Sequence, residues 1–290
     1  MCGKTYKKVF DQSADILWAK VFLETFIVVA YMVFGGKPEE GNLLICTVIS
    51  WCILYAVLFA NKKSWKQNVR IQGHCRKVSL SVFFAGMGLI VAAQFVGGWL
   101  AEGLTILKNS LGIRVYEDSG SIPEISFFSV LIMCVVIPVF EEILFRGIIM
   151  KKLGGKIGMR GGVFMSAFLF GLCHLNIEQT LTAFMGGLVF GVVGWTYSVY
   201  PAILLHIFNN CYAVLSKVEK VNQSFLEVIF AGIAVLGIFI SGIIFMRRKV
   251  EGVFQEEGES LKWRECFTSK RFVFLLIFLS ALTLGNFLFS

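Results

Sequence analysis

An all-α, polytopic membrane bundle of eight or nine transmembrane helices is the fold this sequence predicts, and three observations point to it. The 290 residues are 57% hydrophobic and only 16% charged, which is too apolar for an ordinary soluble domain of this length. Stretches of about 20 apolar residues, the length a helix needs to cross a bilayer, recur along the chain. Lysine and arginine gather in alternate connecting segments, as basic loops retained on the cytoplasmic side do. A secreted disulfide scaffold, a disordered chain and a cytosolic domain are thereby excluded.

Taken in order, apolar helices are expected near residues 16–34, 43–60, 79–100, 122–150, 161–175, 179–198, 201–215, 225–246 and 272–290. A basic start (Lys4, Lys7, Lys8) precedes the first, which ends at Gly35-Gly36-Lys37-Pro38 with no small-residue cleavage site. It therefore reads as a retained helix rather than a signal peptide. The fourth is overlong and carries Glu141, Glu142 and Arg146; the fifth and seventh are short; the last either spans or lies at the surface. With the N-terminus cytoplasmic, inner segments hold 20 of the 27 lysines and arginines and outer segments five, with Lys20 and Arg146 inside spans. The whole chain, 1–290, reads as one multi-pass domain of the cell membrane, and its short loops suggest a bacterial cytoplasmic membrane.

The net charge of +8 follows from inner loops that face anionic lipid headgroups, so lipid is the expected partner and nucleic acid is not implied. Residues Lys62 to Arg70, with Trp65, suit an interfacial amphipathic segment. The eight cysteines make no CxxC pair and fall mostly in apolar segments, giving neither a disulfide framework nor a zinc ribbon. Gly187 and Gly191 form a GxxxG expected to pack helices closely. Gly154-Gly155, Gly158 and Gly161-Gly162 read as a flexible inner loop, while Glu102, Glu117, Asp118 and Glu124 read as a solvated outer one, and His74 as a solvated inner residue.

Ionisable groups at membrane depth cost about 2.5–3.5 kcal/mol each on insertion scales, so each one needs a partner or a function. Glu142 and Arg146 are four apart with the acid first, hence on one face and able to neutralise each other. Glu141 points about 100° away. It is the carboxylate left free for general acid–base work, unless it joins the arginine's network or faces a polar crevice. Lys20 and Glu24 form a second i, i+4 pair. Of three histidines, His174 and His206 lie in apolar spans, and His206 shares a face with Asn210, an imidazole and an amide aimed at a common point. Such donors suit a developing oxyanion.

Helical rise puts Glu141 about 15 Å from the inner interface counted from Lys151, and His206 about 8 Å counted from Pro201. His174, counted from Arg160, falls at about 21 Å. On that count His174 is too deep unless its helix tilts, shortens or starts after Gly161-Gly162.

The run Glu141-Glu142-x-x-x-Arg146, then Phe170-x-x-x-His174, then His206-x-x-x-Asn210 resembles the CPBP family of intramembrane proteases. That family includes CAAX prenyl endopeptidases and bacteriocin-processing or immunity proteins. The resemblance covers residues 141–210 and places a catalytic core at about 122–215. It implies packed transmembrane helices around a water-accessible cavity, and a membrane-embedded endopeptidase acting on a membrane-associated peptide or protein. Glu141 would activate water with His174, His206 and Asn210 would stabilise the oxyanion, and Glu142 and Arg146 would hold the fourth helix, with Phe170 in support.

Zinc stays open at this stage. Glu141, His174 and His206 would supply three ligands of a catalytic site with one open position, yet glutamate-activated water needs no metal and an HExxH helix is absent. CAAX processing requires prenylated targets, and nothing in the sequence indicates them. Two rivals remain. A catalytically silent immunity or binding protein would keep its function without Glu141. A proton-coupled transporter would show flux, but the chain has no repeated half or matched broken helices.

Overall fold

The computed structural model describes residues 2–37, 39–60, 78–112, 126–216, 223–248 and 267–289. These residues form helices joined by short turns, with no strand among them. They are α1 (Cys2–Val33), α2 (Glu40–Phe59), α3 (Leu80–Ser110), α4 (residues 127–157), α5 (159–172), α6 (Ile177–Thr196), α7 (Val199–Leu215), α8 (Gln223–Arg248) and α9 (Lys270–Phe289). Five stretches are long and apolar enough to cross a bilayer: Lys7–Val33, Gly41–Phe59, Leu80–Ser110, Phe127–Leu172 and Lys270–Phe287. Phe22, Trp99, Phe239 and Phe274 stand exposed on the outside of the bundle, the arrangement expected of a polytopic protein whose solvent there is lipid.

Helices α1 and α3 run well past their expected bounds. α1 starts at Cys2 rather than near residue 16, because its polar first half has partners. Ser269 Oγ donates to Asp11 at 2.6 Å, Arg271 pairs with Asp15 at 2.9 Å, and Lys152 Nζ donates to Gln12 at 3.3 Å. α3 runs on to Ser110, so Glu102 lies on an exposed helical face and not in a loop; nothing between residues 101 and 110 breaks a helix as proline would. Lys62 to Arg70, His74, Glu117, Asp118 and Glu124 lie outside the described residues.

The predicted flexible glycine loop is instead a tight hairpin. Gly158 takes φ +77°, a conformation that costs glycine little and other residues more, and α5 turns back along α4. The arms touch at glycines: a Cβ on Gly162 would stand 2.6 Å from the Cα of Gly154. Ser166 Oγ then donates to the Phe145 carbonyl at 2.8 Å, and Phe145 meets Phe170 edge-on at 5.1 Å between centroids. That register corrects the depth count. Helix α4 does not end at Lys151 but continues past it, so Glu141 and His174 each lie about 24–26 Å of helical rise from Gly158 and share a level.

The GxxxG of α6 packs against this hairpin as expected. Cβ atoms on Gly187 and Gly191 would meet Ala167 at 3.2 Å and Val163 at 2.8 Å. α3 and α8 cross just as closely at Gly88 and Gly237. α9 crosses the bundle: it starts beside Asp11, stacks on Trp18 through Phe274 and Phe278, and near its end Asn286 donates to the Leu175 carbonyl at 2.7 Å.

Helix α4 is not uniform. Wider π turns at Ile132–Val136 and Ile143–Ile149 flank the α-helical segment Ile137–Glu142. Pro138 cannot donate to the carbonyl four residues back, and the Ile137 amide bonds Ile132 five residues back instead. Such insertions are frequent at functional sites. Both glutamates sit between them.

Candidate active site

Glu142 is the hub of the polar cluster. It is wholly buried, and its Oε1 accepts Arg146 Nη1 at 2.7 Å and His206 Nδ1 at 2.9 Å. The first bond is the i, i+4 pair the spacing predicts; the second fixes the imidazole, with its Nδ1 proton directed at the carboxylate. Arg146, also buried, donates through Nη2 to the Gly187 carbonyl at 3.2 Å, tying α4 to α6. Its guanidinium carbon lies 4.5 Å from the Phe170 centroid and 5.2 Å from that of Phe190. Glu142 Oε2 and Arg146 Nε have no hydrogen-bond partner, so the aromatic faces carry part of the compensation a buried cation needs.

Glu141 stands apart. Its side chain is 16% exposed against 0% for Glu142, and its Oε2 lies 3.7 Å from His206 Nε2, beyond hydrogen-bond range. His206 is thus held at Nδ1 by one glutamate and faces the other with Nε2. Phe190 stacks on its ring at 4.7 Å and Phe170 meets it edge-on at 5.5 Å.

His174 follows the last turn of α5, and its Nδ1 bonds the Phe170 carbonyl at 2.9 Å. A carbonyl only accepts, so Nδ1 carries the proton and Nε2 is left as an acceptor. Phe170 also meets this ring edge-on at 4.9 Å between centroids. The next residue, Leu175, is held at φ +56°, an uncommon conformation for a side chain of that size; the Asn286 bond to its carbonyl helps to fix it.

Asn210 is placed differently from the free donor the sequence suggests. Its Nδ2 donates to the Met133 carbonyl in the first π turn at 2.9 Å, and its Oδ1 accepts from Asn209 at 3.1 Å. Gln94 of α3 donates to Asn209 in turn at 2.6 Å. The structure therefore brings Glu141, Glu142, Arg146, Phe170 and His206 into one cluster, sets His174 at its edge, and holds Asn210 through an amide chain. Sequence reasoning missed Gln94, Asn209 and Phe190. A polar residue inside an apolar span was the available signal for Gln94; Phe190 had none.

The predicted Lys20–Glu24 pair forms at 2.8 Å. The possible zinc set fares otherwise: among the described residues no three His, Cys, Asp or Glu side chains converge as metal ligands. Glu141, His174 and His206 are not drawn together as a three-ligand set in this structure.

Fold and site together define a polytopic membrane protein organised around a buried glutamate–histidine–arginine cluster. Residues 123–212, which carry the whole cluster, match the family model described as type II CAAX prenyl endopeptidase Rce1-like. The chain is also 26% identical over 198 residues, 65% of its length and 80% of the relative's, to "Putative membrane peptidase YdiL" of Bacillus subtilis (strain 168). No solved structure matches. The resemblance of the three motifs to the CPBP family of membrane proteases is borne out.

Proposed function

We propose that the protein is an intramembrane endopeptidase of the CAAX type, with Glu141 as the group that activates the attacking water. The observation that carries this reading is the division of labour between adjacent glutamates. Glu142 is consumed by Arg146 and His206, whereas Glu141 is the more exposed and has no hydrogen bond to either.

Peptide hydrolysis needs a proton acceptor for water and a donor for the developing oxyanion. Glu141 takes the proton as water attacks the carbonyl carbon; His174, whose Nε2 is an acceptor, orients that water. His206, once protonated, presents Nε2–H to the oxyanion while Glu142 steadies the imidazolium through Nδ1. Asn210 contributes its remaining amide hydrogen from a carboxamide fixed by Met133. The proton on Glu141 then passes to the leaving amine. Glu142 and Arg146 position α4 and do not touch the substrate, a membrane-associated peptide or protein.

The test is cleavage of a membrane-tethered peptide by Glu141→Ala and His174→Ala variants, with membrane levels measured alongside. Loss of cleavage at normal levels supports the reading. Full cleavage in Glu141→Ala contradicts it, and a phenotype of partner protection that survives both variants would favour a silent binding protein.

A further inference from the structure

Helix α2 reaches the site at one point. Tyr55 is 6% exposed, and its hydroxyl donates to the Phe140 carbonyl at 2.6 Å. In an uninterrupted α-helix the Phe140 carbonyl and the Leu144 amide would bond each other, four residues apart. The phenol adds a donor to that carbonyl from a neighbouring helix. Insertion of a side chain into the helical ladder is a recognised cause of local distortion, and the π stretch Ile143–Ile149 begins at this point.

Phe140 directly precedes Glu141 and Glu142 in α4. The Tyr55 ring itself is wedged: Phe140 stacks on it at 5.4 Å, Phe59 at 5.1 Å and Trp51 at 6.0 Å. Its hydroxyl is therefore delivered by a rigid aromatic stack, and the turn of α4 that carries both glutamates depends on it.

We infer that Tyr55 is a positioning residue for the cleavage reaction: its hydroxyl, held on the Phe140 carbonyl, fixes the turn of α4 that sets Glu141 against His206. Without it, the Phe140 carbonyl loses that donor and the turn at the start of the π stretch relaxes. Glu142 stays anchored by Arg146 and His206; Glu141, which lacks such anchors, shifts. A misplacement of about 1 Å costs about 100-fold in rate. The inference rests on the reading of Glu141 as the group that activates water, and it adds to that reading a residue outside the matched segment 123–212.

The experiment compares Tyr55→Phe, which removes one oxygen and keeps the ring, with Trp51→Phe, which trims the same stack and leaves the hydrogen bonds. Purified full-length protein is assayed for cleavage of a membrane-tethered peptide, with membrane level and melting in detergent measured for each. The expected result for Tyr55→Phe is a kcat lower by about 100-fold with KM within a few-fold, wild-type accumulation, and a displaced acid limb in the pH profile of kcat. Trp51→Phe should retain kcat within a few-fold. Wild-type kcat in Tyr55→Phe overturns the inference, as does an equal loss in Trp51→Phe or a loss that only tracks protein level. Glu141→Gln in the same assay separates the two levels. If it still cleaves, the reading of Glu141 and this inference fail together; if it is inactive while Tyr55→Phe is fully active, only the role of Tyr55 fails.

Discussion

The two faces of α4 at residues 141 and 142 carry the same side chain in opposite surroundings. On one face Glu142 is buried, accepts two hydrogen bonds on a single oxygen, and faces a guanidinium enclosed by Phe170 and Phe190. On the other, Glu141 is partly exposed and 3.7 Å from the nearest imidazole nitrogen. One residue of helical rotation, about 100°, separates a group whose charge is spent on structure from one whose charge is available for chemistry. The lesson is that a buried carboxylate is informative through its partners and not through its depth.

The comparison breaks most severely at Glu142. Glu142→Ala or Arg146→Ala leaves the other charge buried and uncompensated, a cost of about 3–5 kcal/mol, and the protein should fail to accumulate in membranes, as an immunoblot of membrane fractions would read. Glu141→Gln should show the reverse pattern, normal accumulation with cleavage down by about 10²–10⁴-fold, the usual contribution of a general base. Asn210→Ala removes one oxyanion donor and should lower kcat by about 100-fold with KM little changed. Gly187→Leu forces a side chain against Arg146 Nη2 and Ala167, where even a Cβ stands at 3.0 and 3.2 Å. Overpacking of that kind costs about 1–3 kcal/mol, visible as a lower melting temperature in detergent. The smallest effect is expected of chelation: if the carboxylate acts alone, chelator-treated enzyme keeps its activity, and a loss restored by added zinc would reassign Glu141, His174 and His206 as ligands.

Much of this contrast was legible before any coordinates. The i, i+4 spacing fixed the Glu142–Arg146 pair, because helix geometry leaves little freedom at that separation. The same rule left Glu141 over, and the GxxxG of α6 announced its close approach to the α4–α5 hairpin. The C-terminal end of α4 was not legible, because Lys151 and Lys152 read as interfacial charge. Folded, they remain in the helix, with Lys151 donating to the Trp195 carbonyl at 3.4 Å and Lys152 to Gln12. Taking Lys151 as the interface placed His174 too deep.

The π turns were equally hidden. Residues 132–149 have an ordinary helical pattern, and the second turn coincides with a hydroxyl supplied from 85 residues away. No local signal reports such an insertion. Asn210 shows the converse: its position on the His206 face was read correctly, but its engagement with Met133 depends on a carbonyl in the first π turn, made available by the backbone there.

The most direct measurement is a side-by-side assay of Glu141→Gln and Glu142→Gln, scoring membrane level and cleavage of a tethered peptide for each. Glu141→Gln should be abundant and inactive, and Glu142→Gln should be depleted, with whatever protein remains retaining some cleavage. Abundant Glu141→Gln protein that cleaves at the wild-type rate would contradict the assignment of the two glutamates.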